Sequence, residues 1–129
     1  MKRITGNLNL VGASIKSLGD LEYIGGNLEL NGSMLESLDN LKHVGGDLNI
    51  ARTNIKSLEN IEFIGGSLWS DKSKIESLGK LVHVGGYAYL DKTKITSLGN
   101  LEYAGGIILD ECFYLKSLGK LKKQEMICG

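Results

Sequence analysis

Proline is absent from the 129 residues, and cysteine occurs only twice, as Cys112 and Cys128 near the C-terminal end. A disulfide there would do little for the rest of the chain, so a reduced, cytoplasmic protein is the simpler expectation. Net charge is missing as well, since fifteen basic and fifteen acidic side chains cancel and the pI is near 6.7. That balance excludes a bulk field drawing the whole molecule to nucleic acid or to an anionic membrane, and any electrostatic partner must be met by a local patch. Long apolar runs are lacking too. "MKRITGNLNL" carries two positive charges but no apolar segment of signal-peptide length. Nothing approaches the roughly 20 apolar residues of a membrane span, which points to an unexported, soluble chain.

What the chain does have is glycine, 18 residues of it, most at fixed positions. The pair "GG" recurs at Gly25-Gly26, Gly45-Gly46, Gly65-Gly66, Gly85-Gly86 and Gly105-Gly106, and "SL" begins at Ser17, Ser37, Ser57, Ser77, Ser97 and Ser117. The chain aligns on itself with a period of twenty and no insertion or deletion, and this repeat organises everything else. It reads G-x-L-x-L-x-x-[ST]-x-I-x-S-L-x-x-L-x-x-[IV]-G. In "GNLEL", Leu28 and Leu30 alternate with Asn27, Glu29 and Asn31, the period of two that a strand with one buried face requires. A polar corner and one inward residue follow, Ile15, Leu35, Ile55, Ile75, Ile95 or Leu115. In "SLxxLxx[IV]" the apolar residues recur every three, which predicts a short helical or 3₁₀ turn with the serine as its N-cap. The double glycine is expected to adopt a backbone conformation that bulkier residues resist, and so to start the next coil.

One twenty-residue unit cannot bury both of its faces, whereas stacked copies share an interior. The expected fold is therefore a repeat solenoid, a single domain over 1–129, with 42% hydrophobic residues for its core. Its six coils run approximately over 5–25, 26–45, 46–65, 66–85, 86–105 and 106–129. At ~4.8 Å per strand such a stack spans roughly 30 Å.

The spacing of Leu21, Ile24, Leu28, Leu30, Ser33 and Leu35 resembles the leucine-rich repeat, with one extra residue at the double glycine, and is similar to the receptor L-domain, whose coils also carry "IGG" before the strand. The resemblance implies one parallel β-sheet whose outward face binds partners. It departs at the family's asparagine ladder, where this chain has Ala13, Ser33, Thr53, Ser73, Thr93 and Phe113. A right-handed parallel β-helix with three short strands per coil uses about as many residues and stands as the alternative.

A fixed frame turns each outward position into a column. The six serines occupy one slot with no acid–histidine pair near them, so they read as turn caps rather than nucleophiles. His43 and His83 share a column with Tyr23, Phe63, Tyr103 and Lys123. Two coils separate them by ~10 Å, too far for a common ion with bonds of ~2 Å, and a row of half-buried rings is expected instead. No Asp-Gly calcium repeat, phosphate loop or Cys-x-x-Cys pair occurs, so neither a metal nor a cofactor is implied.

The outward strand columns change along the chain. Small polar residues (Asn7, Asn9, Asn27, Glu29, Asp47, Asn49) give way to Trp69, Tyr87, Tyr89, Ile107 and Leu109, bordered by Asp71, Asp91 and Glu111. An exposed aromatic and apolar face of this kind marks an interaction site, and Trp and Tyr dominate interface hot spots. The competing reading buries Ile107 and Leu109 in a final strand under the tail "LKKQEMICG". The interior also breaks pattern here, with Ser70, Ala88 and Asp110 where leucine is expected.

A second set of columns is basic. Arg52, Lys72 and Lys92, with Lys74 and Lys94 beside them, line one corner as a candidate anion or nucleic-acid stripe, or else as a solvated corner offset by Asp71 and Asp91.

These features point to a non-enzymatic module that binds another protein, an inhibitor or adaptor acting by steric occlusion or scaffolding. The composition resembles that of short repeat proteins of bacteria and their phages. Polyanion binding through the basic corner and self-assembly through a solenoid end or face are the alternatives.

Overall fold

The computed structural model describes residues 2–121 and the backbone of Met126–Ile127. Each coil contributes two short strands separated by a corner, Thr5-Gly6 in the first coil and the double glycine in those after it. These are β1 (Lys2–Ile4) and β2 (Leu8–Asn9), β3 (Leu21–Ile24) and β4 (Leu28–Glu29), β5 (His43–Val44) and β6 (Leu48–Asn49), then β7 (Phe63–Ile64) and β8 (Leu68–Trp69). Toward the C-terminus the corner opens, and single longer strands, β9 (His83–Tyr89) and β10 (Tyr103–Ile108), run through it; β11 (Met126–Ile127) follows. All pairing is parallel. The first strands stack in one row and the second strands in another, with β9 joining the two rows. Bridges Ser57–Ser77 and Ser97–Ser117 mark a third side. The fold is a β-solenoid with a spacing of about 20 residues per coil, as the repeat predicts.

Among the described residues there is no helix. The "SLxxL" segment closes instead through single i→i+3 bonds, such as the Leu41 N–H to the Leu38 carbonyl at 3.1 Å. The serines still act as expected at this turn, each hydroxyl accepting the N–H two residues on, as in Gly19 to Ser17 at 2.9 Å and Asp39 to Ser37 at 3.0 Å. Three apolar residues spaced by three can point inward from a turn as well as from a helix, and the periodicity alone does not separate the two.

The core is the column set read from the sequence. Ile24, Leu28, Leu30, Leu35, Leu38 and Leu41 are completely buried, and so are their counterparts one and two coils on. Burying one such side chain contributes roughly 1.5–3 kcal/mol, and each coil repeats the gain. In the first coil the same positions have a neighbour on one side only, so Leu8, Leu10 and Leu18 are partly buried and Ile15 is 39% exposed.

The double glycines do not sit in the left-handed region. They are required by proximity, because a Cβ on Gly45 would fall on the carbonyl oxygen of Gly25, one coil back. A second ladder explains Gly46. Asn7 Oδ1 accepts the N–H of Asn27, Asn27 Oδ1 that of Asp47, and Asp47 Oδ1 that of Ser67, each at 2.8 Å; Ser67 Oγ accepts that of Tyr87 at 3.1 Å. A Cβ on Gly46 would collide with the Asn27 Oδ1 that makes this bond. The solenoid thus has an acceptor ladder like the one missing from its leucine-rich-repeat resemblance, but placed at a different corner.

Candidate functional site

The corner ladder ends at Tyr87, whose side chain is the first in its column with no acceptor short enough to reach the next N–H. The consequence is a change of register. Tyr103 and Ala104 still pair with His83 and Val84, but Gly106, Ile107 and Ile108 pair with Tyr87, Ala88 and Tyr89, one residue short of the period. Gly106 lies over the Tyr87 ring, where a Cβ would approach two ring carbons to 2.6 Å. The missing residue is restored after the strand, since Lys116 again bonds Thr96 and Ser117 again pairs with Ser97.

A one-residue slip exchanges the two faces of a strand. Ile107 and Leu109, expected outward in the binding face, are 0% and 3% exposed and belong to the core. Ile108, missed by the sequence reading, pairs with Tyr89 and so follows Trp69 and Tyr89 in the outer column. Asp110 takes the place expected for Glu111 beside Asp71 and Asp91, as their carbonyls show by accepting the N–H groups of Arg52, Lys72 and Lys92 in turn. Glu111 moves to the basic column, 3.7 Å from Lys92 Nζ. Cys112 takes the small-residue slot after Thr93, its Sγ 3.0 Å from the Leu90 carbonyl, and Phe113, expected in that slot, is 81% exposed. Cys128 lies outside the described residues.

On the outer face of the second row, Trp69 and Tyr89 stack with ring centroids 4.0 Å apart and planes 11° from parallel. Tyr87 lies 6.0 Å from Tyr89. Ser70, inward where leucine is expected, is fully buried and donates its hydroxyl to the Tyr89 carbonyl at 2.8 Å. This bond ties the strands that carry the two rings. Trp69, with Asn49, Ala51, Arg52 and Asp71, walls an open groove of about 450 Å³.

The basic corner is also assembled, though not with the expected membership. Lys72, Lys74, Lys92 and Lys94 line one groove of about 400 Å³ together with Lys56 and Glu76, whereas Arg52 faces the groove beside Trp69. Sequence reading missed Lys56 because its column alternates in sign, with Glu36 before it and Glu76 after it.

The histidines stand in the expected ring stack. Tyr23, His43, Phe63, His83 and Tyr103 follow one another at centroid distances of 4.5, 4.8, 4.9 and 5.0 Å. The Arg3 guanidinium closes the stack 4.0 Å above Tyr23. Lys123 lies outside the described residues. Among the described residues no group of three or more His, Cys, Asp or Glu side chains is placed to hold a metal, and no helix is long and apolar enough to cross a membrane.

Comparison with protein-family models, with curated proteins and with solved structures finds no match to this chain.

Proposed function

We propose that the chain is a non-catalytic binding module that engages a partner protein through the outer face around Trp69, Tyr87 and Tyr89, acting as an inhibitor or adaptor by occlusion or scaffolding. The observation that carries this reading is the Trp69–Tyr89 stack. Trp69, 37% exposed beside an open groove, is held against the half-buried Tyr89 ring, so little side-chain entropy remains to be lost on binding. Asp71 and Asp91 border the rings and favour a partner surface carrying Lys or Arg. The leucine-rich-repeat spacing, a family whose outward strand face binds partners, and the short bacterial or phage repeat proteins that act in a reduced cytoplasm belong to the same reading.

The test is affinity capture from native host lysate with the wild type beside a Trp69→Ala/Tyr89→Ala variant whose fold is checked by circular dichroism. A protein retained by the wild type, at moderate salt, and lost by the variant supports the reading. Equal recovery by both removes this face from consideration.

A further inference from the structure

The register slip in the last coil has a second effect, at the opposite side of the basic corner. Returning the missing residue after the strand turns Phe113 outward, to 81% exposed, beside Tyr114, which is 54% exposed in a column that faces outward in every coil. These rings are not isolated on the surface. With Lys92, Lys94, Thr93 and Glu111 they line a groove of about 280 Å³ that shares Lys92 and Lys94 with the lysine groove. The two grooves form one strip, basic over the coils of Lys56, Lys72 and Lys92 and aromatic at its C-terminal end.

We infer that this strip binds single-stranded nucleic acid, with the lysines on successive phosphates and Phe113 and Tyr114 as the platform on which unpaired bases stack. A backbone-tracking basic groove combined with exposed rings is what such a ligand requires, because every base offers a π face and every linkage a charge. A duplex would offer only phosphates, its bases being stacked within the helix. An acidic polypeptide would have no use for two exposed flat rings next to the charges. At ~4.8 Å per coil the strip is roughly 15 Å long, and the smallest single-strand sites hold about four nucleotides.

Lys72 and Lys92 hold φ angles of 57° and 59°, in the column where the first two coils place Gly12 and Gly32 at 68° and 70°. Glycine fits this slot without strain, while a lysine there adopts the left-handed conformation against its own Cβ. Arg52 and Glu111 take the same conformation in this column, both at 57°, so the slot accepts a side chain of either sign. Glu111, 3.7 Å from Lys92, acts against an anion and serves as an internal gauge of the site. The strip does not depend on the Trp69 face, so the two assignments stand or fall separately.

The experiment is fluorescence anisotropy of a labelled 12-nucleotide oligo(dT), titrated with the full chain at low salt. Expected are saturable binding and a log–log salt slope near −3 for four phosphate contacts at about −0.7 each. Phe113→Ala/Tyr114→Ala should weaken binding roughly tenfold or more, and Glu111→Gln should tighten it. Lys74→Gln/Lys94→Gln should reduce the salt slope by about 1.4, two contacts fewer. Trp69→Ala should leave binding unchanged. All these substitutions are at exposed positions, and circular dichroism confirms the fold of each variant. Absence of binding at low salt overturns the assignment. So do a duplex of the same length binding as tightly, indifference to loss of both rings, and poly-glutamate binding more tightly than the oligonucleotide; the last would assign the strip to an acidic protein.

Discussion

Asn27 Oδ1 accepts a hydrogen bond from the backbone N–H of Asp47 at 2.8 Å, twenty residues along the chain and one coil up. The bond occupies a corner where the strands of the two rows do not pair, and the N–H it satisfies would otherwise face a partly closed bend. Removing the acceptor leaves that donor unsatisfied at a cost of about 1–2 kcal/mol. Asn27→Ala should therefore lower the urea midpoint, while Asn27→Asp, which keeps the oxygen that Asp47 uses for the same purpose one coil on, should be close to neutral. Equal loss in both variants would mean that the corner is held by the glycines alone.

Tyr87 is where this ladder stops, and the faces of the final strand follow from it. If the register slips as Gly106 and Tyr87 indicate, Leu109→Asp puts a charge into the core and should destabilise by several kcal/mol, as an unpaired buried charge does. Ile108→Asp changes a half-buried outer residue and should cost far less. An uninterrupted period of twenty demands the reverse order. Comparing the two unfolding midpoints decides between the frames.

The legible part of the fold was the part written in apolar residues. Their spacing in "GNLEL" and "SLDNLKHV" marks inward positions whatever the backbone does between them, so the core columns before the last coil were read correctly although the turn is not a helix. The corner ladder was hidden because an outward Asn or Asp reads as a solvated residue, and nothing in one repeat shows that its acceptor serves the next. The slip was hidden because it is compensated within one coil, so that "GG" and "SL" keep their spacing of twenty on either side of it. The signal that could have revealed it is Tyr87, which follows Asn7, Asn27, Asp47 and Ser67 in its column and is the first without a short polar side chain. Of the proposed binding face, Trp69, Tyr87 and Tyr89 were readable because their coils precede the slip.

Phe63 sits between His43 and His83 at 4.8 and 4.9 Å, within a stack of five rings on the first strand row. Offset aromatic pairs contribute about 0.5–1.5 kcal/mol beyond their burial, and Phe63 makes two of them. Phe63→Ala should accordingly destabilise by about 2–3 kcal/mol. Phe63→Tyr should be tolerated, since the column already accepts Tyr23 and Tyr103. Because nearest-neighbour coupling holds a solenoid together, the alanine variant should also broaden the unfolding transition, separating the coils before it from those after it. Coincident transitions followed by tryptophan fluorescence and by far-ultraviolet circular dichroism would argue against that uncoupling.

Lys72 separates stability from binding. Its φ of 57° matches a slot that Gly12 and Gly32 fill in the first two coils, so Lys72→Gly relieves the left-handed strain while adding freedom to the unfolded chain. The first effect is worth roughly 1–2 kcal/mol and the second about 0.4–1 kcal/mol in the opposite sense, leaving a net gain between zero and about 1.6 kcal/mol. The same substitution removes a charge from the basic strip, so oligonucleotide affinity should fall and the salt slope should shrink by about 0.7. Lys72→Ala is the discriminating companion. It loses the same charge but keeps a Cβ in the left-handed slot, so it should weaken binding equally without the gain in stability. A glycine variant no more stable than the alanine variant would show that the slot imposes no strain.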